Sequence, residues 1–493
     1  MSNLQQSASK EPLTEREKAV HVLTRFSFGY GPDDVNNVMK VGAESWLRGQ
    51  MRDTPASGSS LGQRLKDMQT LFLTPAEVRD LVDTSERVRD LAPAAQKERK
   101  QLERVPRNEI LAAVLYRSIY SPHQTKEVAC DFWRNHFNVS FTKGQQSFPL
   151  IPHYEQTVVR DHVFGDFGTM LRASAKHPAM LQYLDNHLSR RPPTDQELAQ
   201  VERRTQRKTG SKDRAEEAAQ IAAQRGLNEN YARELMELHT LGVNGGYTQN
   251  DVTEFAKVIT GWSMGGRGGG PEDANGFRFK RWMHEPGPKT VLGQVFEGGG
   301  ESEGINALKM LAHHPSTAKF IATKLVRHFV SDTPPASAIA KIEKVFSQSQ
   351  GDLAKVSEAL IDLEEAWQEP LSKTKRPYEL VISTYRALGI KPPNKKQFLK
   401  ALGELHHTPF KAASPAGWSD KAEDWLTPET LMRRIEWTRA LAAKLPRSVK
   451  PEELFADTIG AVASPQTKLW VSRAPSAEEA IALILASPEF QRR

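Results

Sequence analysis

The sequence predicts a mostly α protein, a multi-helix array or bundle with one small β-hairpin element and a charged insertion. Three observations carry this. Apolar residues recur with helical spacing along most of the 493 residues. One stretch, 276–297 (GFRFKRWMHEPGPKTVLGQVFE), alternates and is rich in turn residues, so it reads as a β-hairpin. Nowhere do runs of strands alternate with helices, which argues against doubly wound and barrel α/β folds.

The elements follow in order. Residues 1–14 read as a disordered lead-in. Glu15 to Phe28 is helical and stops at Phe28-Gly29-Tyr30-Gly31-Pro32, where glycine and proline break the pattern. A short helix follows from Pro32, with Trp46 and Leu47 on an apolar stripe. Residues 53–62 (DTPASGSSLG) read as a linker, 75–91 as a helix, and 92–107 as a charged, solvated helix. Ile110 to Tyr120 and His123 to Phe137 are apolar-periodic. Two more helical patterns occupy 154–190, separated by Phe164-Gly165-Asp166-Phe167-Gly168.

Residues 191–226 are highly charged with few apolar positions, and this stretch reads as a mobile insertion. Helices are expected over 227–243 and 249–262, joined by Asn244-Gly245-Gly246-Tyr247, with Gly265 to Gly270 as a flexible loop. After the hairpin, helical patterns return at 304–313, 315–331, 336–348, 351–362 and 376–388. Residues 395–493 add three or four helices around Trp418, Trp425 and Trp437. The divisions are an N-terminal helical part (15–190), the insertion, a central helical part (227–390) and a C-terminal part (391–493), read as one large unit.

Composition narrows the classes. One cysteine, Cys130, leaves no intramolecular disulfide and no cysteine-based zinc or iron–sulfur site. Sixty-seven basic against sixty acidic residues give +7, a mild excess spread among acids, with no stripe of base-stacking aromatics. Nucleic acid is therefore a weak candidate partner; a protein or polyanionic partner stays open. The first twenty residues carry no basic and apolar leader pattern, and no run of about eighteen apolar residues occurs. The default expectation is a cytoplasmic protein without a transmembrane segment, with leaderless export left open.

Chemistry-bearing residues concentrate in 227–262 (LNENYARELMELHTLGVNGGYTQNDVTEFAKVITGW). Asn228 suits an N-cap. At about 100° per residue, Asn230, Glu234, Glu237 and Leu241 share one helix face. Tyr231, Ala232, Leu235 and Leu238 share another, with His239 in its middle. Glu234 and Glu237 are either a carboxylate pair or a solvated face; His239 is either a ligand or a core histidine on a backbone carbonyl. In CDFWRNHFNVS, His136 lies among Phe132, Trp133 and Phe137, where burial favours a neutral ring suited to a metal ligand, a general base or a structural role. Cys130 reads as a small buried hydrophobe.

His177-Pro178 and His314-Pro315 look like helix starts. Asp185, Asn186 and His187 are candidate pocket residues; Lys324, Arg327 and His328 either line a basic pocket or form a helix's polar side. The leading site reading takes His136, Glu234, Asp185 and Asn230 as catalytic. It takes His136, Glu234, Glu237 and His239 as ligands of a divalent metal, converging within about 5 Å. Competing readings are a binding or assembly protein using the charged insertion, and a scaffold with satisfied buried networks. No zinc-protease, Walker A, dinucleotide, nucleophile-elbow or EF-hand motif is present.

The segments LTRFSFGYGPDDV, FWRNHFNVS, HPAMLQYLDN, GLNENYARELMELHTLGVNGGYTQNDVTEFAKVITGW, HPSTAKFIATKLVRHFV and KRPYELVISTYRALG together resemble a bacterial family catalogued as a domain of unknown function, number 1800 in that series. The resemblance runs from about residue 17 to the end of the chain. It implies that these segments form one site, and it implies no reaction. Members of that family are often exported and often encoded beside a sulfatase-like family.

Overall fold

A computed structural model describes residues 12–51, 60–82, 91–143, 148–224, 226–265, 272–390 and 395–493. Most of the lead-in, most of the 53–62 linker and the glycine run 266–270 lie outside the described residues.

The predicted mostly helical architecture is what the chain adopts, with two small antiparallel two-stranded sheets among the described residues. The apolar stripes bury into one contiguous core containing residues from Ala19 through Phe490. Local sequence fixes many of the helix starts. Thr14 and Glu17 form a capping box before Glu15–Arg25, and Asp166 caps Phe167–Lys176. Both predicted His-Pro starts are real: the imidazoles of His177 and His314 accept from the amides of Ala179 and Ser316, each with proline at the first helical position.

The helices that frame the polar residues are Gln124–His136, Pro178–Tyr183, Asn230–Glu234, Pro315–Phe329 and Pro377–Leu388. Asn230–Glu234 runs on into a π-helical turn, Leu235–Thr240. A second π-helical stretch, Glu155–Arg160, follows the short helix Ile151–Tyr154. Such widened turns often accompany functional side chains because they re-aim residues that regular spacing would place elsewhere.

The structure refines two expectations. The 191–226 stretch, read as mobile, contains two helices, Asp195–Thr209 and Lys212–Ala223. A Thr194–Glu197 capping box starts the first, left-handed Gly210 ends it, and Ser211 caps the second. Of these helices only Ala215 is buried, which explains the lack of apolar signal. Within 276–297, the hairpin is Lys289–Val291 with Gln294–Phe296. Its two-residue turn, Leu292-Gly293, has φ of 50° and 78°, the form whose twist matches the strands. Phe277–Phe279 instead pairs backward with Trp262–Met264.

Candidate functional site

The predicted residues separate into two groups on opposite sides of the Leu235–Thr240 turn, and a third group of charges lies beyond them.

The third group is built from the motif at the end of Gln124–His136. Arg134 makes a two-pronged pair with the buried Glu155, 2.9 and 2.7 Å, and a 2.9 Å bond to Asp131. Asp131 also receives Arg376 at 2.6 Å; Arg376 pairs with Glu379, which lies 3.4 Å from Arg493. Beside it, Arg160 pairs with Glu127 at 2.8 Å. Burial raises the Glu127 carboxyl, and the Arg160 guanidinium outweighs this, leaving it down at about 2. Cys130, 3.7 Å from Arg160, is buried as expected, and that burial pushes its thiol up to about 12, so it is inert. Asn135 accepts from the Trp418 amide (2.7 Å) and donates to the Trp418 carbonyl (2.8 Å), clamping the loop that leads to Asp420.

The second group centres on two buried imidazoles, those of His136 and His239. His136 sits among Phe132, Trp133, Phe137, Phe167 and Phe320, as its sequence context predicts. Its Nε2 lies 3.2 Å from the carbonyl of His239, which can only accept, so Nε2 carries the hydrogen and Nδ1 the lone pair. Lys324 Nζ donates to that Nδ1 at 3.0 Å. Burial, then the charge of Lys324, holds the His136 ring well below its usual range. Burial brings Lys324 down to about 8. His239, 1 % exposed, has neither ring nitrogen partnered among the described residues, so it is no core histidine on a carbonyl. Gly242, at φ 81°, ends the turn; a Cβ there would stand 2.7 Å from the Phe320 ring, which therefore packs against this backbone.

The first group is partly open. Glu234 and Glu237 are half-buried, and burial and then the charge of Glu237 raise the Glu234 carboxyl, opposed by Arg233 and Lys143. Tyr183 lies against Glu234, whose charge adds to burial in pushing its hydroxyl up to about 12. Tyr247 donates to Glu237 at 3.5 Å. Lys143 bridges to Asp185 at 2.7 Å and stands 6.0 Å from the Tyr183 ring. Asp185 is held in the left-handed region, φ 59°, and its carbonyl accepts from Asn228. Asn228 Oδ1 accepts from the backbone of Asn230, whose side chain is exposed. Residues from four parts of the sequence thus meet here: Lys143, Tyr183 with Asp185, Asn228 to Glu237, and Tyr247.

Two calculations from sequence need correction. The four metal-ligand candidates do not form one set: the neighbours of His136 are Lys324, His239 and aromatic rings, whereas those of Glu234 are Glu237, Arg233, Lys143 and Tyr183. The physical reason is that His239 faces away from Glu234 and Glu237 on their own helix, and His136, from the helix Gln124–His136, packs on the His239 side. Among the described residues no group of three or more histidine, cysteine or carboxylate side chains is placed to hold a metal ion. Asn186, a candidate pocket residue, is buried and donates to the Ile259 and Trp262 carbonyls, a packing role. The Lys324 partner of His136 and the Lys143–Tyr183 wall beside Glu234 were not readable from local spacing.

Other buried histidines are engaged. His177 accepts the Ala179 amide through Nδ1, so its Nε2–H donates to His153 at 2.9 Å. His284 bonds the Thr260 carbonyl and Glu303, which Lys289 also reaches at 2.9 Å.

Fold and site together define a mostly helical protein with a partly open carboxylate cluster and, on the other side of the Leu235–Thr240 turn, a lysine–imidazole cluster whose two rings are buried. The family model described as "Protein of unknown function (DUF1800)" matches residues 21–492, and the chain belongs to that family. No curated protein and no solved structure matches it. Among the described residues no helix is long and apolar enough to cross a membrane.

Proposed function

We propose that the protein is an enzyme whose proton-transfer centre is the Glu234–Glu237 pair. One observation carries this reading: Glu234 is a half-buried carboxyl raised by burial and by a second carboxylate three residues away, with no hydrogen bond or ion pair of its own among the described residues. Two carboxyl groups whose surroundings push their protonation apart can divide acid and base roles. Glu234 is the acid, and Glu237, which accepts from Tyr247, is the second carboxyl of the pair. Lys143, Asp185 and Asn230 border the cluster and are the substrate-positioning candidates.

The test is consumption of small molecules from a cell-extract metabolite fraction, followed by mass spectrometry. The intact protein depletes at least one compound, and Glu234→Gln slows that depletion by about 10²–10⁴-fold, the usual contribution of a positioned acid or base. Equal depletion by protein and variant, or none by either, rejects the reading.

A second reading, binding of a protein partner, draws on the helix pair Asp195–Thr209 and Lys212–Ala223, which leaves nearly all of its charged surface unburied. Partner capture that survives deletion of 195–225 would remove that support.

A further inference from the structure

We infer that Lys324 is the amine of a second reactive site, one that takes an anionic aldehyde or 2-oxo acid and holds it as an imine. The inference does not depend on the Glu234–Glu237 reading.

The placement comes from one helix. Phe320, Lys324 and Arg327 stand at i, i+4 and i+7 on Pro315–Phe329, so they share a face. All three are partly exposed, while His136 and His239 behind them are buried. Lys324 and Arg327 thus stand at the partly exposed edge of the cluster, with the buried imidazoles behind them.

Four features at this face point to a ligand. Lys324 donates one hydrogen to His136 Nδ1, and the His136 tautomer is set by the His239 carbonyl. Once neutral, an amine held in this way keeps its lone pair for attack. Burial, with the Arg327 charge adding, brings the amine to about 8, against the raising effect of Asp420, so a useful neutral fraction exists near neutral pH. Arg327 makes no hydrogen bond or ion pair among the described residues, and its Nε is buried without a partner. A free guanidinium beside a reactive amine suits the carboxylate of a 2-oxo acid. The two unpartnered nitrogens of His239 offer one donor and one acceptor in the neutral ring.

The chemistry balances without an added reagent. The Nζ lone pair attacks the carbonyl carbon, and the C=O pair moves to oxygen. Nζ passes its first proton to His136 Nδ1, whose neutral form is favoured by burial, and the ring hands it to that oxygen, giving a neutral carbinolamine. The second Nζ proton follows the same route to the hydroxyl, which leaves as water while the C=N bond forms. Amine plus carbonyl gives imine plus water.

Glyoxylate with sodium cyanoborohydride, followed by peptide mass mapping, tests this. Lys324 is modified ahead of the other lysines at neutral pH, and Lys324→Arg removes that label. Arg327→Gln slows the glyoxylate reaction about tenfold, the effect of one charge-assisted contact, and leaves reaction with neutral propionaldehyde unchanged. Circular dichroism of both variants checks that they fold. Lys324 reacting no faster than exposed lysines overturns the proposal. So does propionaldehyde modifying Lys324 as readily as glyoxylate, or Arg327→Gln leaving the glyoxylate rate unchanged.

Discussion

Two polar regions lie within a few helical turns of each other and obey opposite rules. Around Arg376, each carboxylate of the chain Glu155–Arg134–Asp131–Arg376–Glu379–Arg493 sits in an ion pair. Around the Leu235–Thr240 turn, Glu234, His239 and Arg327 lack hydrogen-bond and ion-pair partners among the described residues. Buried charges are costly unless paired, so a paired network is what packing alone requires. Polar groups left without partners are not explained by packing. The contrast separates side chains that hold helices together from side chains available to a ligand.

The largest expected effect tests the structural half. Arg376→Ala leaves Asp131 and Glu379 short of a cation in a buried setting and destabilises the protein by about 3–5 kcal/mol in denaturant unfolding. A loss under about 1 kcal/mol would show that the network is solvated, and the contrast would collapse.

Next is Lys375, 2 % exposed, whose Nζ bonds the Phe490 carbonyl at 2.7 Å. Burial brings it down to about 7. Between that value and the usual lysine range near 10.4, the unfolded chain binds the proton and the folded one does not. Stability from this group therefore rises with pH across about 7–10.4, by up to about 1.4 kcal/mol per unit. Lys375→Met removes the rise, so the intact protein gains on the variant as pH increases through that window. Parallel stability curves for the two would place Lys375 in water.

Smaller again is Asn135→Ala, which unclamps Trp418 from both sides and should cost about 1–3 kcal/mol. Raised exposure of the 414–420 loop to proteolysis would accompany it. A neutral result would mean that the loop is held from elsewhere.

These regions differed in legibility too. Helices, their His-Pro starts and the buried aromatic setting of His136 follow from local sequence, because caps and periodicity act over a few residues. The Glu234–Glu237 pair was visible for the same reason. The Asp131–Arg376 and His136–Lys324 contacts join residues 245 and 188 positions apart, a separation at which neither spacing nor propensity carries information. The helix pair within 191–226 is hidden by its polarity. Its caps, Thr194, Glu197, Gly210 and Ser211, were in the sequence, but low apolar content outweighed them.

The smallest effect bears on the open half. Glu237→Gln removes the like charge facing Glu234 and keeps its shape, so Glu234 should titrate lower than in the intact protein, followed by carbon NMR of labelled glutamate carboxyls. Burial remains, so Glu234 stays above an ordinary glutamate even then. Stability should scarcely change, since neither carboxylate anchors the core. A shift confined to Glu234 would mark the pair as electrostatically coupled across one π-turn. Unchanged titration would mean that solvent screens the two groups and that Glu234 owes its raised proton affinity to burial alone, which would leave it an isolated acid and remove Glu237 from the proton-transfer scheme.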